Sequence, residues 1–218
     1  MNQKNSMASR LFFLAFAIFI NGLGNALTVS MNLGSALWTA SAVNISNFFS
    51  WNLGTTLFGT ALFAAVLTVI LLRKFKWKQV LGNIIFMVLF SLVVNYLTSL
   101  LMMTPLPELP YIIKLIIDLI GIVFIGCGIS LYQRVNLIMH PVDDLMKVIR
   151  FNYTKGNPVS AQLLTFTPPI IVIIIIFAVS QQLSAVNIGT IFALFFQGKI
   201  VDLADKFLFP NFKYDKMD

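Results

Sequence analysis

Residues 111–132 read YIIKLIIDLIGIVFIGCGISLY. Only Lys114 and Asp118 interrupt this stretch with charge. Wound as an α-helix at 1.5 Å per residue it is about 33 Å long. A bilayer core of about 30 Å needs about 20 helical residues, so the stretch reads as a transmembrane helix. Five further runs have the same character, near Leu11–Met31, Gly54–Leu72, Val80–Met102, Ser160–Val179 and Val186–Leu208. Composition agrees. Of 218 residues 58% are hydrophobic and 11% charged, with mean hydropathy +0.88. Soluble domains carry about 45–50% apolar and about 25% charged residues. The expected fold class is therefore an all-α polytopic membrane protein with six transmembrane helices, one membrane domain over residues 1–218 whose partner is the lipid bilayer. The lone cysteine, Cys127, lies in a Gly-Cys-Gly run and reads as a small packing residue, with no disulfide and no metal-ligand spacing around it.

The net charge of +7 would suit nucleic acid in size, but its distribution describes a topology. Lys4 and Arg10 precede the first run, and Arg73, Lys74, Lys76 and Lys78 follow the second. Arg134, Lys147, Arg150 and Lys155 lie between the fourth and fifth, and Lys206, Lys213 and Lys216 end the chain. The alternate connections, 32–53, 104–110 and 180–185, contain no Lys or Arg. With six spans, every basic cluster falls on one side, which the positive-inside bias makes cytoplasmic, together with both termini. The first run exceeds a signal-peptide core of about 7–15 residues and reads as a retained helix.

Self-comparison exposes a repeat. At an offset of 104, Leu11, Ile18, Gly22, Gly24, Leu27, Asn32, Leu33 and Ile45 meet identical residues at 115, 122, 126, 128, 131, 136, 137 and 149. At an offset of 107, Gly82, Ile84, Val94 and Leu101 meet Gly189, Ile191, Val201 and Leu208, and Asn95 meets Asp202. Repeat one is expected at about 11–103 and repeat two at about 111–208, with 209–218 as a cytoplasmic tail. Three spans per half invert the second half, a layout common among secondary transporters. Each half also holds a short extra helix or re-entrant segment, Ser35–Phe49 or His140–Phe151. The second reads as an amphipathic helix at the cytoplasmic interface, carrying Asp143, Asp144, Lys147 and Arg150. Gly22-x-x-x-Ala26-x-x-x-Ser30 and Gly126-x-x-x-Ser130 form small-residue ridges for close helix packing.

Asn32-Leu33-Gly34 leading into Leu37-Trp38-Thr39, and Asn136-Leu137 leading into Pro141-Val142-Asp143, resemble the "G…lG…PWD" region of the bacterial YczE/YyaS/YitT membrane proteins. Asn187-Ile188-Gly189-Thr190 and Gly198-x-x-x-Asp202 resemble that family's closing motif. The first repeat departs from the pattern at Leu37 and Thr39. The resemblance implies a multi-pass protein of the bacterial cytoplasmic membrane and no particular substrate.

An ionisable residue at membrane depth is a functional candidate, because placing it there costs at least a few kcal/mol. Asp118 is eighth in its span, and Lys114, one turn earlier, is placed to pair with it. Asp202 and its counterpart Asn95 are the next candidates. Asn25, Asn32 and Asn136 bring hydrogen-bonding groups to the ends of the first and fourth spans, where broken helices in transporters bind solutes. These seven residues form the expected solute or ion pathway. No catalytic set, metal site or cofactor motif is present: His140 has no second ligand in spacing, and no Walker A, GxSxG or HExxH sequence occurs. The chain therefore reads as a transporter or permease for a small solute rather than an enzyme. Two alternatives are a substrate-binding membrane subunit serving a partner ATPase, with Ala61-x-x-x-Ala65 as a docking face, and an accessory or regulatory membrane protein. A homo-oligomer is compatible with all three.

Overall fold

Two asparagines stop the repeat-matched helices over Met7–Met31 and Tyr111–Val135. Asn32 and Asn136 are their C-caps and adopt left-handed backbone, with φ of 52° and 49°. Asparagine tolerates this conformation better than most residues, which is why it ends helices. The computed structural model describes residues 6–212. Among these the helices are α1 (Met7–Met31), α2 (Leu37–Phe49), α3 (Leu53–Leu72), α4 (Trp77–Met102), α5 (Tyr111–Val135), α6 (Pro141–Asn152), α7 (Pro158–Ser180) and α8 (Ile188–Phe207). A 3₁₀ turn at Leu106–Glu108 precedes α5. Lys4, Lys213 and Lys216 lie outside the described residues.

Among the described residues five helices, where six were expected, are long and apolar enough to cross a membrane: α1, α3, α4, α5 and α7 from Ser160. The expected sixth span, α8, has the length but carries Lys199, Asp202, Asp205 and Lys206 within its 20 residues. The outward faces of the apolar helices remain apolar. Ile112 and Ile116 on α5 and Ile174 and Ile175 on α7 are all more than half exposed. Such surface is compatible with a membrane-embedded protein.

α1 and α5 pack antiparallel at the centre. A β-carbon on Gly24 would lie 2.5 Å from the Gly121 carbonyl oxygen, and one on Gly128 would lie 2.5 Å from the Asn21 β-carbon and 2.9 Å from the Ala17 carbonyl oxygen. α4 flanks α1 and α8 flanks α5. Gly22 meets Val93 across the first of these contacts, and Gly126 meets Ile200 across the second. α2 packs on α3 and α7, while α6 packs on α7 and α3. Across the halves Gly34 meets Gly189, and its counterpart contact joins Ile138 to Gly82. Each pairing recurs at the offsets of 104 and 107 that relate the two halves of the sequence. The match is not complete: α3 packs closely on α4, whereas α7 is joined to α8 by the Gln162 amide, which donates to the Leu194 carbonyl at 3.2 Å.

Both short helices are drawn into the protein. Leu37–Asn44 of α2 is buried without interruption. α6 is amphipathic as expected, but its polar face is not simply solvated: Asp144 is only 6% exposed. Leu145 and Ile149 of α6 meet Trp38 of α2, Ala64 of α3 and Ala161 of α7 in one apolar cluster. Ala61 and Ala65, expected as a docking face, are buried within the chain.

Candidate functional site

Beyond its left-handed turn at Asn32 the chain runs along the start of α8. The Gly189 N–H donates to the Leu33 carbonyl at 2.9 Å, and the Ser35 N–H donates to the Ala185 carbonyl at 3.0 Å. The Asn32 side-chain oxygen accepts from the Ala185 N–H at 2.6 Å. Segment 32–36 is thereby tied to both sides of the α8 N-cap, Asn187. At the crossing two glycines pass without side chains. A β-carbon on Gly34 would lie 2.2 Å from the Thr190 backbone nitrogen, and one on Gly189 would lie 3.1 Å from the Gly34 α-carbon.

Asp118 fills the space behind this crossing. Its carboxyl is completely buried, and a β-carbon on Gly189 would fall 2.0 Å from Oδ2. Among the described residues neither carboxyl oxygen has a hydrogen-bond partner, so the expected Lys114 pair does not form. Lys114 is half-buried one turn away. The first turn of α8 would ordinarily serve a nearby anion with its free N–H groups. Here those donors are taken: the Ile188 N–H goes to the Asn187 side chain, Gly189 to Leu33, and Thr190 to the Asn187 carbonyl. A bare carboxylate buried this way costs several kcal/mol. An unpaired neutral polar group costs about 1–3 kcal/mol.

Asn25 heads a buried polar chain that crosses the α1–α5 contact. Its side-chain oxygen accepts from the Thr39 hydroxyl at 2.7 Å, and its amide donates to the Asn21 side-chain oxygen at 2.9 Å. The Asn21 amide donates to the Ile125 carbonyl of α5 at 3.2 Å. The chain thus links α2, α1 and α5. Asn44 clamps the same region, exchanging hydrogen bonds with the Ser184 backbone at 2.7 and 3.0 Å.

The other candidates lie apart from Asp118. Asn95 accepts from the Gly54 N–H at 3.1 Å and supports the start of α3. Asp202 is exposed and pairs with Lys206 at 2.7 Å. Asn136 is buried at the α5 C-cap. The Arg10 guanidinium donates to the Val135 carbonyl at 2.8 Å and to the Asn136 carbonyl at 3.3 Å. A cavity of about 300 Å³ between α2, α3 and α7 is lined by Trp38, Ile45, Phe63 and Pro168-Pro169. The two prolines remove N–H donors that would otherwise bond the carbonyls at 164 and 165. No cluster of three metal-ligating side chains occurs among the described residues.

α6 brings its acids to α5 and α4. The Tyr132 hydroxyl donates to Asp143, and the Gln79 and Asn83 side chains lie beside Asp144 and favour its charged form. Lys147 donates to the Met139 sulfur at 2.9 Å, and Arg150 donates to the Gly156 carbonyl at 3.0 Å. Burial pushes the Asp143 carboxyl up to about 6, with the Tyr132 hydrogen bond opposing it, and it raises Asp144 as well. Burial between Phe86 and Phe90 pushes His140 down to about 4. An acid whose folded pKa is raised contributes stability below its unfolded value and loses it as pH rises through the folded value. Asp143 therefore favours the folded state at low pH and loses that contribution between about pH 4 and 6. His140 acts in the opposite direction, losing stability as pH falls toward about 4. Asp143→Asn isolates the first effect. Thermal melts in detergent are expected to show the variant gaining on the wild type as pH rises from 4 to 6. A constant difference would refute the assignment.

Arg134, missed in sequence, anchors the chain after α8. Its guanidinium donates to the Phe209 and Phe212 carbonyls at 3.2 and 3.0 Å and lies 3.5 Å from Asp205. Hydrogen bonds to charged groups contribute about 1.5–3 kcal/mol each. Arg134→Ala is expected to speed limited proteolysis around residues 207–212. Unchanged cleavage would count against this anchoring.

Residues 8–206 match a family of unknown function (DUF6198), and the chain belongs to that family. It is also similar to an uncharacterized protein of Haemophilus influenzae, with 30% identity over 133 residues, which are 61% of this chain and 57% of the relative. The chain thus matches little more than half the length of that curated relative. No solved structure matches.

The glycine crossing was the principal feature missed in sequence. Its members are 155 residues apart, and the one available signal was that Gly34 and Gly189 both sit in the motif-like runs beside Asn32 and Asn187.

Proposed function

We propose that the protein is a small-solute transporter of the bacterial cytoplasmic membrane, in which α1–α4 and α5–α8 form two inverted halves around Asp118. The observation that carries this reading is the Asp118 carboxyl, buried without a partner inside an apolar helix. Such a group is costly in a purely structural role and useful at a site that binds and releases. The recurrence of helix pairings at the repeat offsets supports the two halves. In this reading α8 crosses as the counterpart of α4, its charged end meeting the basic face, and both termini are cytoplasmic. The YczE/YyaS/YitT resemblance supports the same architecture. Alternating access then moves one half against the other, opening the crossing of segment 32–36 with α8.

The test is uptake by proteoliposomes screened with pooled labelled metabolites, with and without pH and Na⁺ gradients. Flux is expected from wild type, and Asp118→Asn is expected to reduce it at least tenfold while eluting normally on size exclusion. No flux for any pool under any gradient would overturn the proposal.

A further inference from the structure

Three features meet at Asp118. Its carboxyl is sealed from solvent, both oxygens lack partners among the described residues, and the nearest N–H groups at the start of α8 are engaged elsewhere. A metal cation would need a shell of several oxygen ligands. Asp118 packs against Gly189, which offers no side-chain oxygen, and no cluster of further acids surrounds it among the described residues. A proton needs no such shell and removes the charge entirely. The Gly189 N–H also has two possible acceptors, the Leu33 carbonyl it now serves and the carboxyl of Asp118 against which Gly189 packs.

Resting on the reading of Asp118 as the transport site, we infer that it is a proton-binding site whose release is switched by the Leu33–Gly189 contact. While segment 32–36 is docked, Asp118 is a carboxylic acid. When the segment leaves α8, water enters and the Asp118 O–H bond breaks. Its proton passes to water, and the electron pair stays on the carboxylate. The freed Gly189 N–H then donates to that carboxylate instead of to Leu33. The coupling ion is H⁺, and a solute moves only with the segment whose docking the proton permits.

The charged groups on the elements around this site leave it in a neutral setting. On α5 the neighbour is Lys114, which forms no bond with it. On α1 the described cation is Arg10, held at the far end by the Val135 carbonyl. Segments 32–36 and 181–187 and helix α2 carry no charge. On α8 the first charge is Lys199, followed by Asp202, Asp205 and Lys206.

The test is infrared spectroscopy of the full chain in liposomes, with aspartate labelled by ¹³C at the side-chain carboxyl. A carboxylic-acid C=O band at neutral pH is expected, shifted by the label and absent in Asp118→Asn. The label identifies aspartate even if that variant folds poorly. Asn32→Ala removes an anchor of segment 32–36 without touching Asp118, and is expected to lower the proton affinity of this band at least tenfold. Only carboxylate bands at neutral pH would overturn the proton site, and an unmoved titration in Asn32→Ala would overturn the switch. A protonated Asp118 in a protein without solute flux would support the site and overturn the transporter reading instead.

Discussion

Gly34→Ala is expected to leave almost no folded protein. Gly34 has φ of 141°, a conformation that residues with a β-carbon rarely adopt. The new methyl would also lie 2.2 Å from the Thr190 nitrogen and 2.6 Å from the Gly189 α-carbon, both backbone atoms of a helix start. No rotamer change relieves either contact. Backbone strain alone costs about 1–3 kcal/mol, and overpacking adds about 1–3 kcal/mol more. Segment 32–36 would have to leave α8, breaking the Leu33–Gly189 and Ser35–Ala185 hydrogen bonds. The measurement is the monodisperse fraction in detergent and its melting temperature. Gly59→Ala is the control, because a β-carbon there meets nothing within 4 Å. Equal behaviour of the two variants would refute the crossing.

The second large effect is expected at the α1–α5 contact. Gly24→Val would drive its β-carbon to 2.5 Å from the Gly121 carbonyl oxygen and 2.8 Å from the Ile125 nitrogen. Helix backbone cannot give way locally, so the two axes must separate. That separation disturbs the Asn21 bond to the Ile125 carbonyl, and with it the polar chain to Thr39. Gly128→Val is expected to be about as damaging, since its β-carbon would strike Asn21 and Ala17. The double variant should lose less than the sum of the two, because one separation relieves both clashes. Additive losses in an unfolding titration would show that the two glycines do not share one contact.

The helix order was legible because apolar runs of sufficient length and the two asparagine stops act locally. The short helix over Pro141–Asn152 was legible through its periodic apolar residues. What failed depended on three-dimensional neighbours. Lys114 is one turn from Asp118, yet spacing alone does not turn a lysine toward the interior. Asn95 and Asp202 occupy matched positions in the repeat, but the first binds the start of α3 and the second lies on the surface. The acids of α6 looked solvated because sequence showed their charge and not the Tyr132, Gln79 and Asn83 partners on other helices. Asp118 itself stood out for the simplest physical reason, a charge-bearing group in the middle of an apolar run.

The α1–α5 contact has a mechanical consequence. Helices that mesh large side chains must unlock many rotamers before one can turn on the other. Here Gly24 and Gly121 set main chain against main chain, and the Thr28 and Asn21 side chains seat in the shallow notches left by Gly121 and Gly128. The central pair is a close-fitting bearing, its axis held by near-bare main chain and pinned by the Asn21 hydrogen bond to the Ile125 carbonyl.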